Sequence, residues 1–444
     1  MRRFALGLTL VLGVTSPLHG QGLRSKISDL FNVGGGQVAL FLPGSADPNN
    51  PLTIQAHAEH FSPAVSQGNG SLIAFVTNAI SGNVANVPTS ATSSGSTFRF
   101  EGGVPVKTSV SPGPVFGERA QTLGHGRVLV GGNLSRFHFA TLRGVSLHDI
   151  RLNFTHVNVD FPGCSAAFGG DCRLMGIPPL ENDVMQFRLS LDLDATVTSF
   201  FLTYGLLDRV DIAVAIPIVS ASLRGTSEAQ IVPFGGPTAA HFFGGTPSNP
   251  ELSASRSVDG SAAGVGDVVA RVKVNLSQTN QTGFSILGEI RLPTGSESDL
   301  LGSGALAARG FGILSARFGE FSPHANVGYL FRQGETQNNA VVATLGFDDA
   351  LAPWATIALE VGSELQAGES KLKLPGTVTY DAPFKRTVEP TTIPDMHDDI
   401  VNGSLGFKFT TGAGIILVTN ATVPLNRGGL RSDLLWTAGL EYNF

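Results

Sequence analysis

The sequence predicts an all-β chain that crosses a membrane as a closed antiparallel β-barrel, of fourteen strands or, if one weak segment stays out of the wall, of twelve. Three observations carry this. From Val184 to Phe444 the chain is a series of segments in which apolar and polar residues alternate, and because side chains on a strand point to opposite faces in turn, each segment has one greasy and one wet wall. The connections between segments are mostly short and long in turn, with 333–337 and 425–430 short where long ones are expected, a sorting that a soluble sandwich has no reason to show. Hydrophobic residues make up 42% of the chain and charged residues only 14%, with 55 glycines. A soluble domain carries about 25% charge, whereas half of every barrel strand faces hydrocarbon.

Met1, Arg2 and Arg3 precede an apolar run from Phe4 to Thr15, then Ser16, Pro17, Leu18, His19 and Gly20. A basic start, a short apolar middle and a small residue at the cut describe a secretory signal peptide over residues 1–20. An anchor helix is the alternative, but the run is well short of the roughly 20 residues that span a bilayer. Residues 21–96 hold an amphipathic helix candidate (Leu23, Ile27, Leu30, Phe31) and an apolar piece from Leu72 to Ile80. They are expected to form a plug-like segment in the lumen, with a periplasmic tail as the alternative. Residues 97–444 form the barrel.

The wall begins with the weak segment Thr97–Lys107, then 127–140 and 147–159 joined by a turn at Leu142 to Gly144. In the next strand Phe187, Leu189, Leu191 and Leu193 alternate with Arg188, Asp192 and Asp194. Charges on the lipid side cost about 2–4 kcal/mol each near the midplane, which points Arg188, Asp192 and Asp194 into the lumen. Arg209 and Asp211 face inward in the following strand, opposite Val210, Ile212, Val214, Ile216 and Ile218. Arg271 and Lys273 do so between Val268 and Leu276, and Glu289 and Arg291 after Phe284. A symmetric turn at 277–283 pairs Leu276 with Phe284 and sets Arg271 opposite Glu289. Weaker strands follow near 307–318, 322–332, 338–348, 354–365, 399–410 and 414–424. The last strand carries Leu434, Trp436, Ala438, Leu440, Tyr442 and Phe444 on one face, with Leu435 the only defect. Its terminal Tyr442-x-Phe444 looks like the signal read by the barrel-assembly machinery of the bacterial outer membrane.

Short turns are expected at Arg143/Gly144, Gly205–Asp208, Ser277–Gly283, Gly319–Ser322, Asp348–Pro353 and Thr411–Gly414. Long external connections are expected at 160–183, 224–263, 293–306 and 366–398. In the loop 224–263, Phe234, Phe242 and Phe243 are the apolar candidates for holding a ligand, with simple self-packing as the alternative.

The net charge is −6, becoming −8 once Arg2 and Arg3 leave with the signal, and no basic patch is visible, so nucleic acid is not an expected partner. Cys164 and Cys172 are the only cysteines. In an exported chain they are expected to close a small disulfide loop; a metal site lacks a nearby His pair. No Gly-x-Ser-x-Gly elbow occurs. His57/His60, His138/His156 and Met396–Asp399 each admit a bland reading as packing or a polar loop. No enzyme activity, metal or cofactor is expected. The inward rows mix both signs, which suits a ladder of salt bridges better than a filter concentrating one sign.

Several stretches are ordered and spaced in a recognisable way: Glu118-Arg119-Ala120 before Thr122-Leu123-Gly124; Tyr204-Gly205-Leu206-Leu207-Asp208-Arg209-Val210-Asp211 running into Ala215-Ile216-Pro217; Gly264-Val265-Gly266-Asp267-Val268; and Leu292-Pro293-Thr294-Gly295 with Gly302-Ser303-Gly304. Over roughly residues 115–444 they resemble a family of outer-membrane proteins known as transporters of the phenol meta-degradation pathway, itself related to the long-chain fatty-acid and aromatic-hydrocarbon uptake barrels. The resemblance implies a barrel for passive uptake of small hydrophobic or aromatic molecules. The expected partners are then outer-membrane lipid and lipopolysaccharide, the assembly machinery and an apolar or aromatic solute. Residues 23–110 and the cysteine loop lie outside the resemblance and inherit no role from it. The competing reading is a non-transport barrel whose loops serve adhesion.

Overall fold

The computed structural model describes residues 22–33, 40, 44–45, 67–85, 98–101, 104–107, 114, 117–154, 183–233, 241–246, 248–380, 385–411 and 414–444. Residues 1–20, expected to be a signal peptide, and Cys164, Cys172 and Phe234 lie outside them. Twelve antiparallel strands close a ring: β1 (Val128–Leu142), β2 (Val184–Leu207), β3 (Val210–Val232), β4 (Val268–Gln278), β5 (Thr282–Leu292), β6 (Ala307–Ala316), β7 (Phe321–Arg332), β8 (Asn339–Ala352), β9 (Ala355–Ala367), β10 (Ile400–Thr410), β11 (Ile415–Pro424) and β12 (Leu435–Asn443). Each pairs with the next, and β12 returns to β1.

The ring is therefore the twelve-strand case, and the fourteen-strand expectation is corrected at two places. In the first, Phe98–Glu101 pairs with Val104–Lys107 and with no strand of the ring. Of 147–159, the described residues 147–154 contain the strand Ile150–Phe154, which pairs with the far part of β2 outside the ring. Its partners are residues 185–189, in the half of β2 that lies beyond the lipid-facing residues, so it is not part of the crossing wall. The Arg143/Gly144 turn consequently lies at the long-loop end, where Arg143 N donates to Gly429 O. With those two segments removed, the tight turns after β2, β4, β6, β8 and β10 all fall at one end of the barrel, the turn end, and the other connections at the loop end. The ring is sealed at the turn end by its last residue: Phe444 N donates to Val128 O and Val128 N to Phe444 O, both at 2.9 Å.

Around the barrel an unbroken apolar belt is exposed, including Phe200, Ile216, Val272, Ile290, Leu345 and Leu405. Such an area has no place on a soluble monomer and is the lipid-facing band of an outer-membrane barrel. The β12 row Trp436, Leu440, Tyr442 and Phe444 belongs to it, with Thr437 and Glu441 buried on the inner face. Because Phe444 combines this outward apolar position with ring closure, Phe444→Asp is expected to slow insertion. Heat-modifiable gel migration should show less of the compact form, and wild-type levels would contradict the membrane assignment.

β2 and β3 run for 24 and 23 residues, more than twice a crossing. Their far halves rise beyond the belt and pair with Ile150–Phe154 and with the strand Ser253–Val265. There the polarity of the two faces inverts. Phe187, Leu189, Leu191 and Leu193 point inward and are buried, while Arg188 and Asp192 are exposed and Asp194 is half-exposed on the outside. The expectation that Arg188, Asp192 and Asp194 face the lumen is thus corrected. Inside the belt the outer face meets lipid and must be apolar; beyond it the outer face meets water, and the ordinary rule of apolar inside and polar outside returns. In β2 the change comes at Val197/Thr198, after which Phe200 and Leu202 face lipid; in β3 it comes at Ile218/Val219. Outside, Asp149 accepts hydrogen bonds from Arg151 and Arg188 at 3.1 and 2.9 Å, and His148 and His138 pair with Asp192 and Asp194.

The inner face of this raised sheet receives two helices, α1 (Leu23–Asp29) and α2 (Gln67–Ala85). Leu23, Ile27, Leu30 and Phe31 lie at helical spacing on one side of α1, and Leu72, Val76, Ala79 and Ile80 on one side of α2. All are buried in one cluster with Phe187, Leu189 and Leu191. The rings of Phe31 and Phe187 are 5.6 Å apart, and Ser227 Oγ donates to Leu30 O at 2.5 Å. Each large apolar side chain so buried contributes about 1.5–3 kcal/mol. The described helices of the N-terminal segment therefore sit at the loop end, not at the end where the wall begins. No described helix is long and apolar enough to cross a membrane.

Candidate functional site: the barrel lumen

The interior of the turn end is crossed by a short extended segment, Gly117–Gly126, tied to the wall by its own backbone. Leu123 N donates to Asp211 on β3 at 3.0 Å. Ala120 O accepts from Asn275 on β4 at 2.8 Å and from Ser285 on β5, and Ala120 N donates to Ser315 on β6 at 3.1 Å. Glu118 N donates to Asn326 on β7 at 2.7 Å, and Gly117 N to Glu360 on β9 at 3.1 Å. Arg119 pairs with Asp348 on β8. The anchors belong to seven consecutive strands, β3 to β9. A backbone without secondary structure inside a membrane protein must find partners for its polar groups, and the inward polar row supplies them.

The recurrent motifs acquire a physical reason here. In the Tyr204–Asp211 stretch, Asp211 holds Leu123, Asp208 O accepts from Thr122 Oγ1 at 2.8 Å, and Gly205 O accepts from Gly126 N at 2.8 Å. A Cβ at Gly205 would collide with the Gly124 carbonyl, so this approach requires glycine. Arg209 lies exposed in that turn and not in the lumen, since the chain reverses there. The other two motifs meet at the loop end: Asp267 accepts from Gly295 N at 3.1 Å and from Ser303 N and Oγ at 2.8 and 2.6 Å. The loop they pin, 293–306, holds α1 through Arg24 N to Ser298 O at 2.9 Å and an Arg24–Glu297 ion pair.

Above the lumenal segment the inward charges are arranged in pairs. Arg271 and Glu289 stand directly opposite on β4 and β5, and Arg271 Nε donates to Glu289 Oε2 at 2.6 Å. Leu276 does not face Phe284, because a bulge between Asn275 and Ser277 shifts the register by one near the turn. Arg309 Nε reaches the second Glu289 oxygen at 2.5 Å. Glu118 lies 3.5 Å from Arg271 and 3.3 Å from Lys273. His324 and Glu360 are 3.3 Å apart, Lys408 and Glu441 3.8 Å. Asp211, Arg271, Lys273 and Glu289 are buried, and Arg291 is half-buried on the same inward row as Glu289.

Between this layer and α2 lies a cavity of about 330 Å³. Asn78 and Gly82 of α2 contribute to its loop-end side and Glu118 to its other end. Its wall is mixed: Phe137, Phe139, Leu287, Phe311, Val342 and Leu435 supply apolar surface, and Arg332, Glu364, Asn402 and Arg431 polar groups. Arg332 pairs with Glu364 at 2.6 Å. Nothing in the alternation alone marks this cavity, because its lining comes from one or two inward residues on many strands. Phe242 and Phe243 are buried, Phe243 in the core cluster beside the raised sheet, and neither lines the cavity. Met396–Asp399 is an anchor: Asp398 takes a two-pronged ion pair from Arg143 at 2.8 and 2.9 Å, and Asp399 accepts from Gln366 N at 2.7 Å. Arg143 also lies 5.0 Å from the Phe75 ring of α2. Among the described residues no cluster of three metal-binding side chains occurs.

No protein-family model matches the sequence, and no curated protein does so significantly. Similar solved structures include an outer-membrane channel from Pseudomonas putida F1, with 11% identity, a TM-score of 0.40 and coverage of 73% of this chain and 98% of that one. A Pseudomonas aeruginosa FadL homologue gives 10%, 0.30, 72% and 89%. A deletion mutant of the TodX monoaromatic hydrocarbon channel gives 10%, 0.33, 73% and 91%. Likeness at these scores carries no argument about what this barrel does; that rests on its lumen.

Proposed function

We propose that the protein is a passive outer-membrane channel for small hydrophobic or aromatic molecules, with the turn end facing the periplasm and α1 and α2 capping the loop end. The observation that supports this best is the lumenal cavity. A purely structural barrel needs no 330 Å³ void, since interiors otherwise pack densely and each unfilled volume costs contacts. Its combination of aromatic surface with a few placed polar groups is that of a small-molecule site. Among the described residues the lumenal charges are paired and of both signs, which suits neutral cargo better than a filter selecting one sign of ion. The segment Gly117–Gly126 is the constriction that a solute passes after leaving the cavity. The test is uptake of toluene by liposomes holding the purified barrel. Uptake above empty liposomes supports the channel, and uptake equal to theirs favours a barrel whose raised sheet and loops act at the surface.

A further inference from the structure

Resting on the channel reading, we infer that the way out past the lumenal segment runs along the wall formed by β10, β11 and β12, and that Lys408 and Glu441 are its gate. The anchors of residues 117–123 stand on β3 to β9. From Thr122 onward the chain is also tied to the turn between β2 and β3. None of these anchors stands on β10, β11 or β12. On that side the segment parts from the wall without breaking any of the hydrogen bonds that order it.

The inward residues of this wall form a polar track from the cavity to the turn end. Ser404 on β10 and Thr422 on β11 line the cavity, directly paired and with hydroxyls 2.7 Å apart. One row nearer the turn end, Asn420 on β11 pairs with Thr437 on β12. Thr437 in turn faces Ser135 on β1, their hydroxyls at 2.9 Å. Nearer still to the turn end, Lys408 reaches from β10 across β11 to Glu441 on β12, at 3.8 Å. All of these side chains are buried, so the track is closed in this structure.

Its closure is the weakest in the lumen. Asn420 Oδ1, Lys408 Nζ and Glu441 Oε2 are buried without a hydrogen-bond partner among the described residues. Such atoms are costly, and they gain partners as soon as water enters beside them. The Lys408–Glu441 pair is the longest of the lumenal pairs described above, whereas Arg271 and Arg309 hold Glu289 at 2.6 and 2.5 Å. The flexible four-carbon stem of lysine lets the ammonium swing aside. Hydroxyls also hold an apolar solute less firmly than the aromatic cavity does, and passage needs binding weak enough to leave.

The experiment has an ionic and a solute arm. Lys408→Gln and Glu441→Gln remove one charge each at nearly constant side-chain length, and planar-bilayer recordings in a potassium chloride gradient give the reversal potential. Ions that pass between the two residues feel each change, so Lys408→Gln should shift selectivity toward cations and Glu441→Gln toward anions. Loss of a merely structural pair does not move it in opposite directions. In the solute arm, Asn420→Trp should cut liposome uptake of toluene about tenfold, because the indole fills a track one side chain wide. Thr437→Phe takes its place if heat-modifiable migration shows that Asn420→Trp is not folded. Where the wild type passes toluene without measurable ion current, the solute arm decides alone. Equal reversal potentials in the wild type and both glutamine variants, or wild-type toluene uptake through a folded Asn420→Trp or Thr437→Phe barrel, overturns the gate and leaves the channel standing. If the wild type excludes toluene, the channel reading fails with it.

Discussion

Replacing Glu118–Leu123 with a glycine–serine linker of the same length is expected to raise single-channel conductance severalfold. The native segment is held across the lumen by side chains of seven consecutive strands. The linker keeps the connection to β1 and the backbone hydrogen-bonding groups, but it removes the Glu118 and Arg119 ion pairs and the buried Ala120 and Leu123 side chains and makes the segment costlier to order, so its hold on the wall weakens and water fills the space. Planar-bilayer recordings give the result directly. Unchanged conductance would place the narrowest point elsewhere, at the α1–α2 cap.

The second large effect is on stability. Glu289→Ala is expected to destabilise the barrel by about 3–5 kcal/mol, because it takes from buried Arg271 and half-buried Arg309 the carboxylate they share. Both arginines reach it at hydrogen-bonding distance, 2.6 and 2.5 Å. Urea unfolding in lipid vesicles measures the change. Glu289→Gln, which keeps the shape but not the charge, should fall between wild type and Glu289→Ala. If both variants unfold at the wild-type urea concentration, the pairs are incidental to the wall.

Much of the barrel was legible because lipid imposes a simple rule on alternate residues. Ile212, Ile216 and Ile218 outward with Asp211 inward, and the final row to Phe444, could be read from spacing alone. The same rule misled in β2, where it was applied beyond the bilayer. The run Phe187 to Leu193 is apolar because it packs on α1, and Arg188 is polar because it meets water. A signal was present: Phe200 and Leu202 occupy the opposite phase to Leu189 and Leu191 with no residue inserted between, which marks a change of surroundings along one continuous strand. The strand count failed for a related reason. Ile150–Phe154 alternates like a wall strand, but alternation says nothing of whether a strand's partners stand inside the membrane.

The lumenal site was less legible. Glu118-Arg119-Ala120 and Tyr204–Asp211 stood out as motifs, but their meeting depends on a segment threading the barrel. Local sequence records only the glycine at 205 and the acids at 208 and 211. The cavity above them was not visible at all. Phe137, Phe311, Val342 and Leu435 are inward exceptions on mostly polar rows, and only closure of the ring brings them together.

The route through the lumen can be blocked by chemistry at one inward position. Val342 lies on β8, buried and lining the cavity. In a chain carrying Cys164→Ser and Cys172→Ser, Val342→Cys would be the single thiol, and a bulky methanethiosulfonate adduct there would fill the cavity. Liposome uptake of toluene should be near wild type before modification, fall to the empty-liposome level after it, and return when the adduct is reduced. Undiminished uptake through a barrel shown by mass spectrometry to be fully modified would contradict passage through this cavity.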